Sequence, residues 1–201
     1  MRAHGWGGRP PADADEARTR IVDATRARLT AAGTTSTSEI AEVLGVTRQT
    51  VYRYFPTTED LLDAAAMDAV AELEADLVDH VVKHLADTSG DAADAVVEVV
   101  AYVYEHLRDD PVLNRLLAPG RISRTIAGIT APSSIVLGSK LLSGFGIDWS
   151  EVGLAEDERL ELVEHLLRTL QSFFLDPGDP ERTGEELRAY LRRWVTPALR
   201  A

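Results

Sequence analysis

A chain of 201 residues with 45% hydrophobic content has enough apolar material for a packed core, and its length fits one or two domains. It has no cysteine and only five histidines, which excludes a disulfide framework and a cysteine nucleophile; a reducing cytoplasm is the expected compartment. The opening MRAHGWGGRPPADADEA has no apolar signal core and no run approaches the roughly 18 apolar residues of a membrane span, so a soluble, non-exported protein without a membrane partner is expected.

Residues 1–14 are rich in Gly and Pro, carry Arg2 and Arg9, and have no periodicity, as in a disordered arm. A helical pattern begins near Asp15, with Ile21, Ala24 and Leu29 on one face and Gly33 as its stop. Ser36 followed by Glu39 is a capping-box signature for a short helix with Ile40, Val43 and Leu44 as its apolar face, ended by Gly45. Thr47 caps a third short helix reaching Tyr54, because the residue before Pro56 avoids the α region. Residues 15–57 thus form a three-helix head.

Thr58 is expected to cap a long helix to Leu85 with the stripe Leu62, Ala66, Ala69, Leu73, Leu77 and Val81. A helix from Ala92 to Arg108 has two apolar faces, one through Val96, Val100, Val103 and Leu107, the other through Val99, Tyr102 and His106, and so belongs inside a bundle. A short helix starts at Pro111 and ends at Pro119-Gly120. Helices interrupted by glycines are expected over 121–150, then one with Leu160, Val163, Leu167, Leu170 and Phe174 as its stripe, and a last one over 181–195 presenting Leu187, Tyr190, Leu191 and Trp194. No segment alternates with period two, so the fold class is all-α: a helix-turn-helix head over 15–57 and a larger helical bundle over 58–201.

The spacing of Ala41, Gly45 and Val51 is the most informative motif. A helix-turn-helix needs a small residue where the second helix crosses the first, a glycine in the turn and an apolar anchor on the second helix. With Val46 and Val51 facing inward, Arg48, Gln49, Thr50, Tyr52, Arg53 and Tyr54 face outward, where hydrogen-bonding and aromatic groups suit base edges and phosphates. Ser36, Thr47 and Thr58, at helix starts, complete the candidate DNA-binding set. The charge distribution allows it. The chain has a formal net charge of −12, yet residues 1–60 balance eight Lys and Arg against eight Asp and Glu, leaving the whole excess in 61–201. One face of the head can bind phosphate while the acidic body keeps other surfaces off DNA.

The stretches RIVDATRARLTAAG and EIAEVLGVTRQTVYRYFPTTEDLL, with Gly45-Val46-Thr47 followed by Val51-Tyr52, Tyr54-Phe55-Pro56 and Leu61-Leu62, resemble the TetR family of one-component transcriptional regulators over about the first 65 residues. Two departures stand out: the link after Gly33 is shorter than usual with Thr34 in place of an aromatic, and Thr58 stands where the family often has lysine. The resemblance implies a ligand-responsive homodimer, a repressor released from double-stranded operator DNA by a small-molecule effector, with a ligand-binding and dimerisation body. Met67, His84, Tyr102, His106, Phe145 and Trp149 combine apolar bodies with a few polar tips and are the candidate pocket. Leu162, Leu166, Phe173, Leu191 and Trp194 are the candidate dimer interface, since the last two helices have more apolar surface than one bundle face needs. Two recognition helices spaced by a helical turn read a palindrome, whereas one contacts few bases.

Asp76, His80 and His84 recur every four residues, a spacing open to metal ligation. At about 100° per residue, however, His84 lies within the apolar stripe while Asp76 points away from it, so neither a metal nor a cofactor is expected. The alternatives are an α-helical enzyme, for which there is no cysteine nucleophile, glycine-rich phosphate loop or close Glu/His pair on a catalytic face, and a protein-interaction module keeping the helix-turn-helix as scaffold. No catalytic residue is assigned.

Overall fold

The computed structural model describes residues 5–117, 128–149 and 152–199. Among them are nine α-helices and no strand: α1 (Ala14–Ala32), α2 (Thr37–Val43), α3 (Arg48–Tyr54), α4 (Thr58–Thr88), α5 (Ala92–Asp109), α6 (Pro111–Leu117), α7 (Pro132–Ser143), α8 (Glu156–Leu175) and α9 (Gly184–Trp194). The expected end of α6 at Pro119-Gly120, and the expectations for 121–127, lie outside the described residues.

The caps explain the boundaries in the first half of the chain. The Asp13 carboxylate accepts from Glu16 N–H at 2.8 Å, Ser36 Oγ from Glu39 N–H at 3.3 Å and Thr47 Oγ1 from Thr50 N–H at 3.2 Å, each satisfying an amide that the first helical turn leaves unpaired. At α4 the cap is Thr57 and not Thr58: its Oγ1 accepts from Asp60 N–H at 3.0 Å, while Asp60 Oδ2 accepts from Thr57 N–H at 3.1 Å. Thr58 is the first helical residue.

The chain divides into two compact units, Met1–Ala71 with Asp110–Leu116, and Glu72–Asp109 with Leu117–Ala201. The division falls inside α4 and not at residue 58, because Leu61 and Ala65 are fully buried in the core of the first unit with Ile21, Leu29, Ile40, Val51 and Phe55. Leu61, not Leu62, is the buried leucine of that turn. Val112 of α6 joins the same core. Residues 1–14 also depart from expectation where they are described: Trp6–Gly8 form a 3-10 turn, and Trp6 packs against the head core.

The second unit is built around α5, where Val96, Val97, Val100, Ala101, Tyr102 and Tyr104 are buried with Leu77 and Val81 of α4, Leu142 of α7, Val163, Leu166 and Leu170 of α8, and Leu187 and Leu191 of α9. Gly138, expected to interrupt a helix, instead lies within α7, where a Cβ would stand 2.6 Å from Val163 Cγ1 on α8. The glycine permits the helices to approach. Gly138→Ala should therefore destabilise the protein by about 1–3 kcal/mol through overpacking, read as a lower melting midpoint at fixed protein concentration; an unchanged or higher midpoint would show that Val163 yields freely.

Candidate nucleic-acid interface

Helices α2 and α3 are joined by a tight turn. Gly45 sits at φ 64°, a left-handed conformation natural to glycine, and Val46 N–H donates to Ala41 O at 2.9 Å. Ala41 and Val51 are buried in the head core, as the helix crossing requires. The orientation of α3 follows: Arg48, Gln49, Tyr52 and Arg53 are exposed, and Thr50 and Tyr54 are partly so.

Arg48 Nη2 donates to the Tyr52 hydroxyl at 2.8 Å, with its guanidinium 5.1 Å from that ring's centroid. Arg53 repeats the pattern on Tyr54, donating at 2.9 Å and lying 4.9 Å from the centroid. These are cation–π pairs reinforced by hydrogen bonds. Hydrogen bonding to Thr37, then to Arg48, draws the Tyr52 phenol below its ordinary pKa. The hydroxyls of Ser36 and Thr47 already serve the helix caps, and the Thr50 hydroxyl lies 2.8 Å from that of Thr47. Gln49 presents its amide from the exposed face. Cationic and hydrogen-bonding groups thus share the outer side of the second helix, the chemistry that phosphate oxygens and base edges take.

The candidate pocket residues are distributed over both units. Met67 is 59% exposed and belongs to the first unit, whereas the other five belong to the second. Tyr102, Phe145 and Trp149 are core residues, and the Trp149 indole N–H is satisfied by Leu142 O at 3.2 Å. His106 is exposed and stacks on Tyr102 with centroids 3.7 Å apart; His80 lies against the same tyrosine at 4.2 Å. Of the interface set, Leu166 and Leu191 are buried within their own unit, Leu162 and Phe173 are partly buried against the same core, and Trp194 is 65% exposed. Periodicity identified apolar faces without telling an internal neighbour from an external one.

Sequence reasoning missed Glu98. It is only 2% exposed and takes a double hydrogen bond from Arg188, at 2.7 and 2.8 Å, while His80 Nε2 stands 2.8 Å and His84 Nε2 3.9 Å from its two oxygens. Burial opposes its ionisation, but the Arg188 and His80 hydrogen bonds and the nearby positive charge override this and hold the carboxyl at about 2. Arg188 also reaches Glu105 at 3.1 Å. A glutamate inside the apolar run AVVEVVAYV was the available signal. His80 and His84 therefore face Glu98, and no group of three or more His, Cys, Asp or Glu among the described residues is arranged to hold a metal ion.

The α2–turn–α3 unit, with its buried crossing and cationic outer face, defines a helix-turn-helix DNA-binding protein of all-α fold. Residues 21–65 match the family model described as bacterial regulatory proteins, tetR family. No curated protein sequence matches it. Among solved structures it resembles the TetR family repressor AlkX from Dietzia sp. strain DQ12-45-1b, implicated in biodegradation of n-alkanes (20% identity, 90% of this chain and 96% of that one, TM-score 0.61). It also resembles RolR in complex with resorcinol (19%, 92% and 92%, 0.63) and Thermus thermophilus FadR, a transcriptional repressor in complex with lauroyl-CoA (21%, 90% and 93%, 0.57). At these identities the likeness speaks for the fold. No helix among the described residues is long and apolar enough to cross a membrane.

Proposed function

We propose that the chain is a homodimeric repressor that reads a palindromic operator with α3 and is released when a small molecule binds its body. The observation that carries this reading is the exposed face of α3, where Arg48, Gln49, Tyr52 and Arg53 stand on a helix anchored by the buried Val51. Base contact falls to Gln49, with phosphate contact from Arg48, Tyr52 and Arg53. AlkX and FadR are described as repressors, and FadR and RolR hold small molecules, which supports the same kind of control here. The test is selection of binding sites from a pool of random duplexes with the full chain, followed by gel shift. Enrichment of an inverted repeat supports the reading; failure to enrich any sequence rejects it.

For the effector we favour the imidazoles of the partly exposed His80 and the exposed His106, both against Tyr102, with the partly exposed His84 next to His80; they offer aromatic faces and hydrogen-bonding edges. Coupling would use α4, a single 31-residue helix that contributes Leu61 and Ala65 to the head core and carries His80 and His84 in its last turns. An effector that prefers the DNA-incompetent state shifts the population toward it, and operator DNA must weaken that effector by the same factor.

For the dimer, the exposed Trp194 and Leu175 replace Leu166 and Leu191 as the apolar side chains we assign to self-association. Trp194→Glu should shift sedimentation velocity from dimer toward monomer while the circular dichroism stays helical, because the residue is not needed for the internal core. A wild-type monomer at micromolar concentration would rule the interface out.

A further inference from the structure

The segment Gly5–Arg9, before α1, is fastened to the helix-turn-helix. Trp6 N–H donates to Leu44 O at 2.7 Å. Leu44 is the C-cap of α2, and its carbonyl is among those that a helix end leaves without an intrahelical partner. The Trp6 side chain packs against the head core, as do Leu44 and Val46, the residues flanking Gly45. Approach is tight: a Cβ on Gly5 would stand 3.1 Å from Gly45 O and 3.3 Å from Val46 Cγ1. At its other end the segment is held to α1, where Arg20 Nη1 donates to Arg9 O at 2.5 Å and Arg20 Nη2 pairs with Glu16 at 2.5 Å. Trp6 takes φ 63°, a conformation that a bulky side chain adopts only when its surroundings impose it.

We propose that Gly5–Arg9 is a strap that sets the angle of the reading helix, with Trp6 as a positioning residue for base recognition. The turn it holds is the hinge of the motif: Leu44, Gly45 and Val46 fix where Thr47 starts α3, and so where Gln49 meets a base edge. A side chain that reads a base must be placed within a few tenths of an ångström, whereas a phosphate contact tolerates a small tilt. Loosening the strap should therefore cost sequence discrimination more than it costs general DNA affinity.

This inference rests on the DNA-reading function proposed above. The experiment takes the duplex that the wild-type full chain selects from a random pool, with a random-sequence duplex as reference. Affinities for both are measured over a salt series for wild type, Trp6→Ala, Trp6→Phe and Gly5→Val, well below the melting transition of each. Trp6→Ala and Gly5→Val are expected to reduce the ratio of selected to random affinity about tenfold with an unchanged salt slope, and Trp6→Phe to recover most of it. An unchanged ratio in both Trp6→Ala and Gly5→Val overturns the strap. So does a shallower salt slope in Trp6→Ala, which would make the segment a phosphate contact. A wild-type chain that selects no sequence defeats the proposed function itself, and the strap with it.

Discussion

Glu98→Ala should lower the stability of the protein by about 3–5 kcal/mol, because it strips a mostly buried guanidinium of its principal partner. Arg188 is 14% exposed and would keep only Glu105 at 3.1 Å and the Gly184 carbonyl at 3.2 Å. Glu98→Gln, which preserves shape but not charge, should cost less, and the pair Glu98→Leu with Arg188→Met should recover much of the loss, since removing both charges also removes their desolvation penalty. The pH dependence has a definite sign. The carboxyl lies at about 2 in the folded chain against an ordinary value of 4.5, so its contribution is complete above about pH 4.5 and is lost as pH falls from there through about 2. The amount at stake is about 3 kcal/mol. Melting midpoints at constant protein concentration, for wild type and Glu98→Gln between pH 2 and 6, should converge at the acid end. Parallel curves would mean that Glu98 is not held ionised by its neighbours.

The second large effect concerns α3. Replacing Arg48 and Arg53 together by alanine should weaken selected and random duplexes alike, and should flatten the slope of log affinity against log salt by about two units per subunit, one for each counterion released. Gln49→Ala should instead lose about 1–3 kcal/mol on the selected duplex and little on random DNA. Salt titrations of both duplexes separate the two. If Gln49→Ala lowers both affinities equally, or the double arginine variant keeps the wild-type slope, α3 is not oriented as described.

The head was legible because its constraints are local. Ala41, Gly45 and Val51 each answer a steric demand a few residues away, and the caps at Ser36 and Thr47 occur where their side chains imply. Legibility fails where a choice depends on what lies across space. Leu61 and Leu62 are equivalent to a periodicity argument, and only the packed head selects Leu61. Leu166, Leu191 and Trp194 lie on apolar faces of similar strength, yet the first two are internal and the third is exposed. Glu98 shows the same limit from the other side: its partner Arg188 is ninety residues away, and no local pattern announces an ion pair of that span. The candidate pocket residues share a chemistry, and chemistry alone does not fix which side chains share a space; Met67 lies in the first unit and the other five in the second.

The arginine–tyrosine pairs of α3 bear on the thermodynamics of capture. A free arginine side chain has up to about 2 kcal/mol of rotamer entropy to lose when it is immobilised on a phosphate. Arg48 and Arg53 have surrendered part of that freedom in the unbound chain, each laid on a tyrosine ring and tethered to its hydroxyl. If these arginines hold phosphates as proposed, association carries a smaller ordering penalty, and the attraction between opposite charges is less offset by loss of motion. Phenylalanine at 52 or 54 would keep the ring but release the tether, and lysine at 48 or 53 would lose the flat guanidinium that lies on it. Either change leaves the charge count of the surface as it is and makes binding entropically dearer, a difference that calorimetry reads directly as a less favourable TΔS at similar enthalpy.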